Sequence, residues 1–192
     1  MSLLDKHLND RGLTVTEGYS QQNPAQVQHL IRLCADAKTI MEIGFNGGHS
    51  ADIFLKHSNA TVVSFDLGSH DYVNAAKEYI DVTYPGRHTL VVGDSTQTVP
   101  AFVGQETFDL IFIDGGHDYP IAKADLANCK RLAHKDTLVL MDDTMYTEQW
   151  VENYTKGPTA SWKEAIEAGE VIEGGNADYD VGRGMSWGKY SV

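Results

Sequence analysis

The sequence is short of cysteine, of positive charge and of long apolar runs, and each shortage excludes a class of protein. Only two of its 192 residues are cysteine. Cys34 and Cys129 fall at apolar positions of two expected helices without metal-ligand spacing, so both read as reduced, buried thiols. Lysine and arginine number 15 against 27 acidic residues, a formal charge of −12. A surface of that sign repels phosphate backbones, and the basic residues are scattered, so nucleic acid is not an expected partner. No apolar run reaches bilayer-spanning length, and MSLLDKHLNDRG has no apolar signal core. A cytoplasmic protein with no membrane partner is therefore expected. Repeats and low-complexity stretches are also missing.

What is present is a regular alternation. Hydrophobic residues make up 42% and charged residues 22%, as in ordinary globular chains. The length suits one domain, 1–192. Its expected parts are an N-terminal helical segment (1–22), a cofactor-binding core (23–145) and a C-terminal helix and hairpin (146–192). Ser2 caps a short helix that ends before Gly12. Asn23-Pro24-Ala25-Gln26 is a helix start, with an asparagine cap, proline at the first position and glutamine three residues past the cap. Five apolar strands follow: one from Thr39, then 61–66, 88–94, 108–114 and 137–143. The stretches between them read as helical, about Ser50–Lys56, Tyr72–Tyr84, Val99–Phe102 and onward from Pro120. Such alternation predicts an α/β three-layer sandwich around a Rossmann-like, mostly parallel sheet. After a helix at Ser161–Ala168, strands at Glu170–Glu173 and Gly184–Ser191 would pair antiparallel at the edge, with GGNADYDVGRG between them.

In an open sheet of this kind the ligand sits at the carboxyl ends of the strands. Those ends carry Glu42-x-Gly44, Asp66, Gly93-Asp94-Ser95, Asp114-Gly115-Gly116-His117 and Asp142-Asp143. One terminal aspartate is commonly a cap or turn former; five acidic strand ends share one rim here. The first strand runs into TIMEIGFNGGHS, a strand, glycine turn and helix start. Asp66 follows about 20 residues later, where an acid hydrogen-bonds ribose hydroxyls. That arrangement suits NAD and S-adenosylmethionine alike. Asn46, however, stands where a dinucleotide fingerprint has its second glycine, and Glu42 would repel a pyrophosphate. An acid there favours a cofactor with a cationic methionine end.

EIGFNGGHSA, VVSFD, VVGDS with Pro100, FDLIFIDGGHDY and LVLMDD together resemble, in order and spacing, the class I S-adenosylmethionine-dependent methyltransferases. More narrowly they resemble the metal-dependent catechol and caffeoyl-CoA O-methyltransferase group and its small bacterial relatives, over about residues 20–145. The resemblance implies seven strands, parallel except for one strand of a C-terminal hairpin. It implies that Glu42, Gly44, Gly48 and Ser50 hold the methionine end of the cofactor, that Asp66 binds the ribose, and that Asp94 and Ser95 lie against the adenine. It also implies a divalent cation (Mg²⁺, Mn²⁺ or Ca²⁺) on Asp114, Asp142 and Asp143, with Asp143 replacing the family's asparagine. Three adjacent carboxylates repel one another unless a cation or a proton intervenes. His117 occupies the place of the family's lysine base, and imidazole can take a hydroxyl proton near neutrality.

The expected function is O-methylation of a small-molecule hydroxyl, with a homodimer allowed. Alternatives are a metal-independent transfer to a sugar hydroxyl or nitrogen with His117 as base, a nicotinamide-dependent oxidoreductase, and a non-catalytic binding module on the same fold. His49, at the first helix start, is a candidate for the cofactor cleft; His29, His70 and His88 read as surface or structural. Tyr146, Trp150, Tyr154, Trp162, Tyr179 and Trp187 give the C-terminal part an aromatic bias that suits either a substrate pocket or an edge core.

Overall fold

The computed structural model describes residues 2–104 and 107–191. Helix α1 (Leu3–Asn9) opens with Ser2 and Asp5, each side chain accepting the other's backbone N–H, a reciprocal cap that satisfies two orphan donors. Helix α2 (Pro24–Cys34) starts where Asn23 Oδ1 accepts the amides of Ala25 and Gln26. The chain then alternates through β1 (Thr39–Ile43), α3 (His49–His57), β2 (Thr61–Asp66), α4 (Tyr72–Thr83) and β3 (His88–Val92). It continues through α5 (Ser95–Ala101), β4 (Phe108–Ile113), α6 (Tyr119–Cys129) and β5 (Ala133–Asp142), and ends with α7 (Lys156–Glu167), β6 (Val171–Asp180) and β7 (Arg183–Tyr190).

Among the described residues the seven strands form one sheet in the order β3-β2-β1-β4-β5-β7-β6. Pairings from β3 through β5 are parallel, and β7 runs antiparallel to both of its neighbours. The chain moves outward from β1 to β3 and then returns to lay β4 on the other side of β1. That reversal opens a crevice at the carboxyl ends of β1 and β4.

The central strands read as continuously apolar because both of their faces are covered. Alternate residues leave a strand on opposite sides. Ile40, Leu110, Phe112 and Leu140 pack with Leu30, Phe54 and Ile80 on one side. Met41, Ile43, Ile111 and Val139 pack with Val99, Leu126 and Trp162 on the other. Trp162 is fully buried there, so this part of the aromatic bias belongs to the core.

Several boundaries differ from expectation. α5 begins at Ser95 rather than near Val99, because Asp94 accepts the Thr96 amide and caps it. β5 begins at Ala133, where Thr137 bridges the His134 amide and the Phe108 carbonyl. The GGNADYD stretch is mostly strand. It forms β6, with a register shift between Glu173 and Gly175 and with Gly175 making room for the Trp187 ring. No helix among the described residues is long and apolar enough to cross a membrane.

Candidate active site

The turn after β1 is built on left-handed residues. Gly44 has φ 95°, Asn46 φ 49° and Gly48 φ 78°. Asparagine tolerates this region better than most side chains, which is how Asn46 takes a glycine's place. At Gly44 the constraint is spatial as well, since a β-carbon there would overlap the Asp114 carbonyl oxygen. Asp66, at the end of β2, fixes the turn. Its Oδ2 accepts the Asn46 amide at 2.8 Å and its Oδ1 accepts the Gly68 amide at 2.7 Å.

A cavity of about 710 Å³ follows the carboxyl ends of the strands, a size suited to a small-molecule or cofactor site. One half is walled by Asp66, Leu67, His70, Gly93, Asp94 and Ser95, the other by Asp114, His117, Asp143, Tyr154 and Arg183, with Gly44 between them. The expected residues Gly44, Asp66, Asp94, Ser95, Asp114, His117 and Asp143 are thus brought onto one surface.

At the second half, one ligand atom each from Asp114, His117 and Asp143 lie within 4.8 Å of one another. His117 Nε2 is 2.9 Å from Asp143 Oδ2. That hydrogen bond raises the His117 pKa above its ordinary value, with burial opposing it. Burial first, and then the charges of Asp142 and Asp143, push Asp114 well above the usual carboxylate range. Asp143 adopts φ 55°, a left-handed conformation that aspartate and asparagine tolerate better than most side chains. Asp142 is set apart from the expected trio. Both of its oxygens accept the Gln26 side-chain amide, at 2.7 and 2.8 Å, and burial together with Asp143 pushes its pKa up to about 7. His117 stands in the geometric cluster where the resemblance implied Asp142.

Glu42, Gly48 and Ser50 do not line the cavity. Glu42 is fully buried behind the turn. Its oxygens accept the hydroxyls of Ser64 at 2.6 Å and Ser50 at 2.9 Å, and Ser64 Oγ also lies 2.7 Å from His88 Nε2. Because Ser64 has one proton to give Glu42, His88 donates to Ser64 through Nε2. Burial pushes Glu42 up to about 7 and His88 down to about 4. The structure does not place Glu42 in the expected direct contact with a cationic ligand: Glu42 is sealed behind the turn and does not line the cavity. His49 also lies outside the cleft, buried with Nε2 2.9 Å from Asp5 Oδ1 and stacked on Tyr19 at 3.8 Å. The sequence singles out neither Glu17 nor Arg183, and it reads His70 as surface or structural and Tyr154 as one of the aromatics suited to a pocket or an edge; all four wall the cavity. Glu17 pairs with His70 at 3.2 Å, and Arg183 donates to Gln22 at 2.7 Å. One local signal existed for the hidden network: Ser64 is the polar interruption inside VVSFD, opposite Glu42 in the β1–β2 register.

This topology, with its crevice beside a glycine turn, is the Rossmann-like methyltransferase fold. An O-methyltransferase from Bacillus cereus, solved in complex with SAH, shares it at TM-score 0.74 and 20% identity over 98% of this chain and 90% of that one. TomG, an O-methyltransferase from Streptomyces achromogenes involved in tomaymycin synthesis and solved with SAM, has TM-score 0.75 at 16% identity over 98% and 89%. The N-methyltransferase NodS from Bradyrhizobium japonicum also matches, at TM-score 0.67 and 13% identity over 86% and 94%, so the fold by itself does not select the acceptor atom. No curated protein matches the chain in sequence. Residues 41–144 match the methyltransferase domain family. The chain belongs to that family, and it is a methyltransferase.

Proposed function

We propose that the cavity binds S-adenosylmethionine and that the chain methylates a hydroxyl oxygen of a small molecule with the help of a divalent cation. The observation that carries this is the placement of two chemically different ends on one cavity. Asp66, Asp94 and Ser95 stand at one end and Asp114, His117 and Asp143 at the other. The first end fits a nucleoside. Asp66 keeps unshared lone pairs for a ribose diol beyond the two amides it holds, and the bare Gly44 lets a ligand approach the backbone. S-adenosylmethionine supplies a methyl group on a sulfonium leaving group. Glu42, whose pKa is pushed up to about 7 behind the turn, would be drawn to its ionised form by a cationic methionine moiety nearby.

At the second end the donor set fits a divalent cation. Two carboxylates and an imidazole converge, and burial first, then the charges of Asp142 and Asp143, raise the Asp114 pKa, a charge cluster that a bound cation would relieve. Asp114 and Asp143, with Asp142 behind them, would hold the ion, which would supply Lewis-acid lowering of an acceptor hydroxyl's pKa. With Nε2 donating to Asp143 Oδ2, His117 accepts the hydroxyl proton at Nδ1, and Asp143 stabilises the resulting imidazolium. Nε2 keeps its proton for Asp143 and Nδ1 takes the acceptor's, so the base role leaves the carboxylates as the ligands. The carboxylates and the cavity walls orient the acceptor oxygen towards the methyl carbon, where alignment lowers the barrier.

The test is calorimetry with S-adenosylhomocysteine and NAD, followed by turnover on a panel of catechols and sugars with and without EDTA. Binding of S-adenosylhomocysteine alone, with turnover lost to the chelator, is the expected result. NAD binding would defeat the cofactor assignment; turnover indifferent to chelation would defeat the cation.

A further inference from the structure

Arg183 opens β7, and the register of the sheet decides where it stands. β7 runs antiparallel to β5 with Met185 opposite Asp142. Two residues before Met185, Arg183 therefore lies just past the carboxyl end of β5, and it lines the cavity together with Asp143 and Tyr154. Its guanidinium reaches across to the N-terminal segment. Nη2 donates to Gln22 Oε1 at 2.7 Å, and a β-carbon on Gly18 would overlap the same group, so the bare glycine leaves the space that it fills.

An arginine has five N–H donors and stays charged in proteins. Gln22 gives it one neutral acceptor. Among the described residues no carboxylate forms an ion pair with it, and no other residue accepts a hydrogen bond from it. The cavity around it has the opposite sign. Glu17, Asp66, Asp94, Asp114 and Asp143 stand on its walls, and Arg183 is the one lysine or arginine among the described residues that does. A half-buried guanidinium beside these acids, yet paired with none of them, is free to receive an anionic group that a ligand brings.

We propose that Arg183 is a specificity-determining residue and that the methyl acceptor is a small aromatic hydroxy acid: the guanidinium holds its carboxylate while its hydroxyl faces His117. This role rests on the reading of this end of the cavity as the acceptor site. A carboxylate fits better than a phosphate, because one guanidinium balances one charge and matches two oxygens side by side. A dianion would leave excess charge among the acids. The ring follows from the wall. His117 and Tyr154 have ring centroids 5.5 Å apart, and Tyr154 donates to the Gly182 carbonyl at 3.1 Å, which holds this aromatic surface next to Arg183. The acceptor must be small, since the cofactor shares the cavity of about 710 Å³. The cofactor's own carboxylate is the less suited partner, because β4 and β5 separate β7 from β1 and its glycine turn.

Calorimetry on the full chain, loaded with S-adenosylhomocysteine and Mg²⁺, tests this with protocatechuate and its carboxamide, which share the dihydroxy ring and differ in the charged group. The unaltered chain should bind the acid roughly 10- to 100-fold more tightly, the worth of a hydrogen bond to a charged group. Arg183→Gln removes the charge, and the preference should fall to within about threefold. Its affinities for the carboxamide and for S-adenosylhomocysteine should each stay within about threefold of the unaltered chain. Arg183→Lys, which keeps the charge and loses the fork, should show an intermediate preference. Melting temperatures establish that each variant is folded, and the comparison on the unaltered chain needs no variant. Equal binding of acid and carboxamide by the unaltered chain, binding of neither, or an equal loss of both in Arg183→Gln would overturn the proposal. Loss of S-adenosylhomocysteine affinity in Arg183→Gln would also overturn it, by giving the guanidinium to the cofactor's carboxylate. Failure of the unaltered chain to bind S-adenosylhomocysteine would instead sink the reading of the cavity as an S-adenosylmethionine site, and this inference with it.

Discussion

His117 Nε2 and Asp143 Oδ2 lie 2.9 Å apart on the cavity wall beside Asp114. The histidine side chain remains 45% exposed and the aspartate only 9%. An open imidazole held by a buried carboxylate keeps one orientation while still meeting a ligand, and its pKa is raised by that bond.

Replacement of His117 therefore separates chemistry from cofactor binding. His117→Ala should lower methyl transfer by roughly 10²- to 10⁴-fold, the usual contribution of a general base. S-adenosylhomocysteine affinity, measured by calorimetry, should stay within about twofold of the unaltered chain. An equal loss in both would place His117 in cofactor binding instead.

The same pair sets a pH dependence. The base form of His117 exists above its pKa, so kcat/KM should rise with pH through a limb placed above the ordinary histidine range, in the direction of the raised pKa. Asp143→Asn removes the charge that raises it, and the limb should move to lower pH. A limb that stays in place would show that another group titrates.

A divalent cation should stabilise the chain by mass action. At about 100 times its dissociation constant the gain is about 2.7 kcal/mol, several degrees in a melting scan. Asp114→Ala and Asp143→Ala should each abolish the Mn²⁺- or Mg²⁺-dependent rise. A rise that survives both would locate the ion elsewhere.

Glu42 predicts how stability depends on pH without a ligand. Its pKa is raised in the folded chain from 4.5 to about 7, so between these values the folded form holds a proton that the unfolded form has released. Stability from this group is complete below pH 4.5 and is lost as pH rises towards 7, by up to about 3 kcal/mol. Urea unfolding across that window should show the loss, and Glu42→Gln should flatten it. A Glu42→Gln profile with unchanged slope would refute the assignment.

Gly44→Ala combines strain at φ 95° with overlap on the Asp114 carbonyl. It should destabilise the chain by more than about 2 kcal/mol and weaken S-adenosylhomocysteine binding, both measurable on one purified variant.

The sequence by itself determined the alternation of strands and helices, the glycine turn and the rim of acidic strand ends, because these depend on periodicity, turn chemistry and order along the chain. Asp66, Asp94, Asp114 and Asp143 were legible for that reason: a parallel sheet brings all its strand ends to one edge. The direction in which each side chain points was settled only by packing. Glu42 and Asp66 are both acids at strand ends, yet one is sealed behind the turn by Ser50 and Ser64 and the other opens onto the cavity. Gln26 reaches Asp142 across 116 residues, and Arg183 reaches Gln22 across 161. Such contacts have no local signal, because they form only when helices and the β6–β7 hairpin close over the sheet.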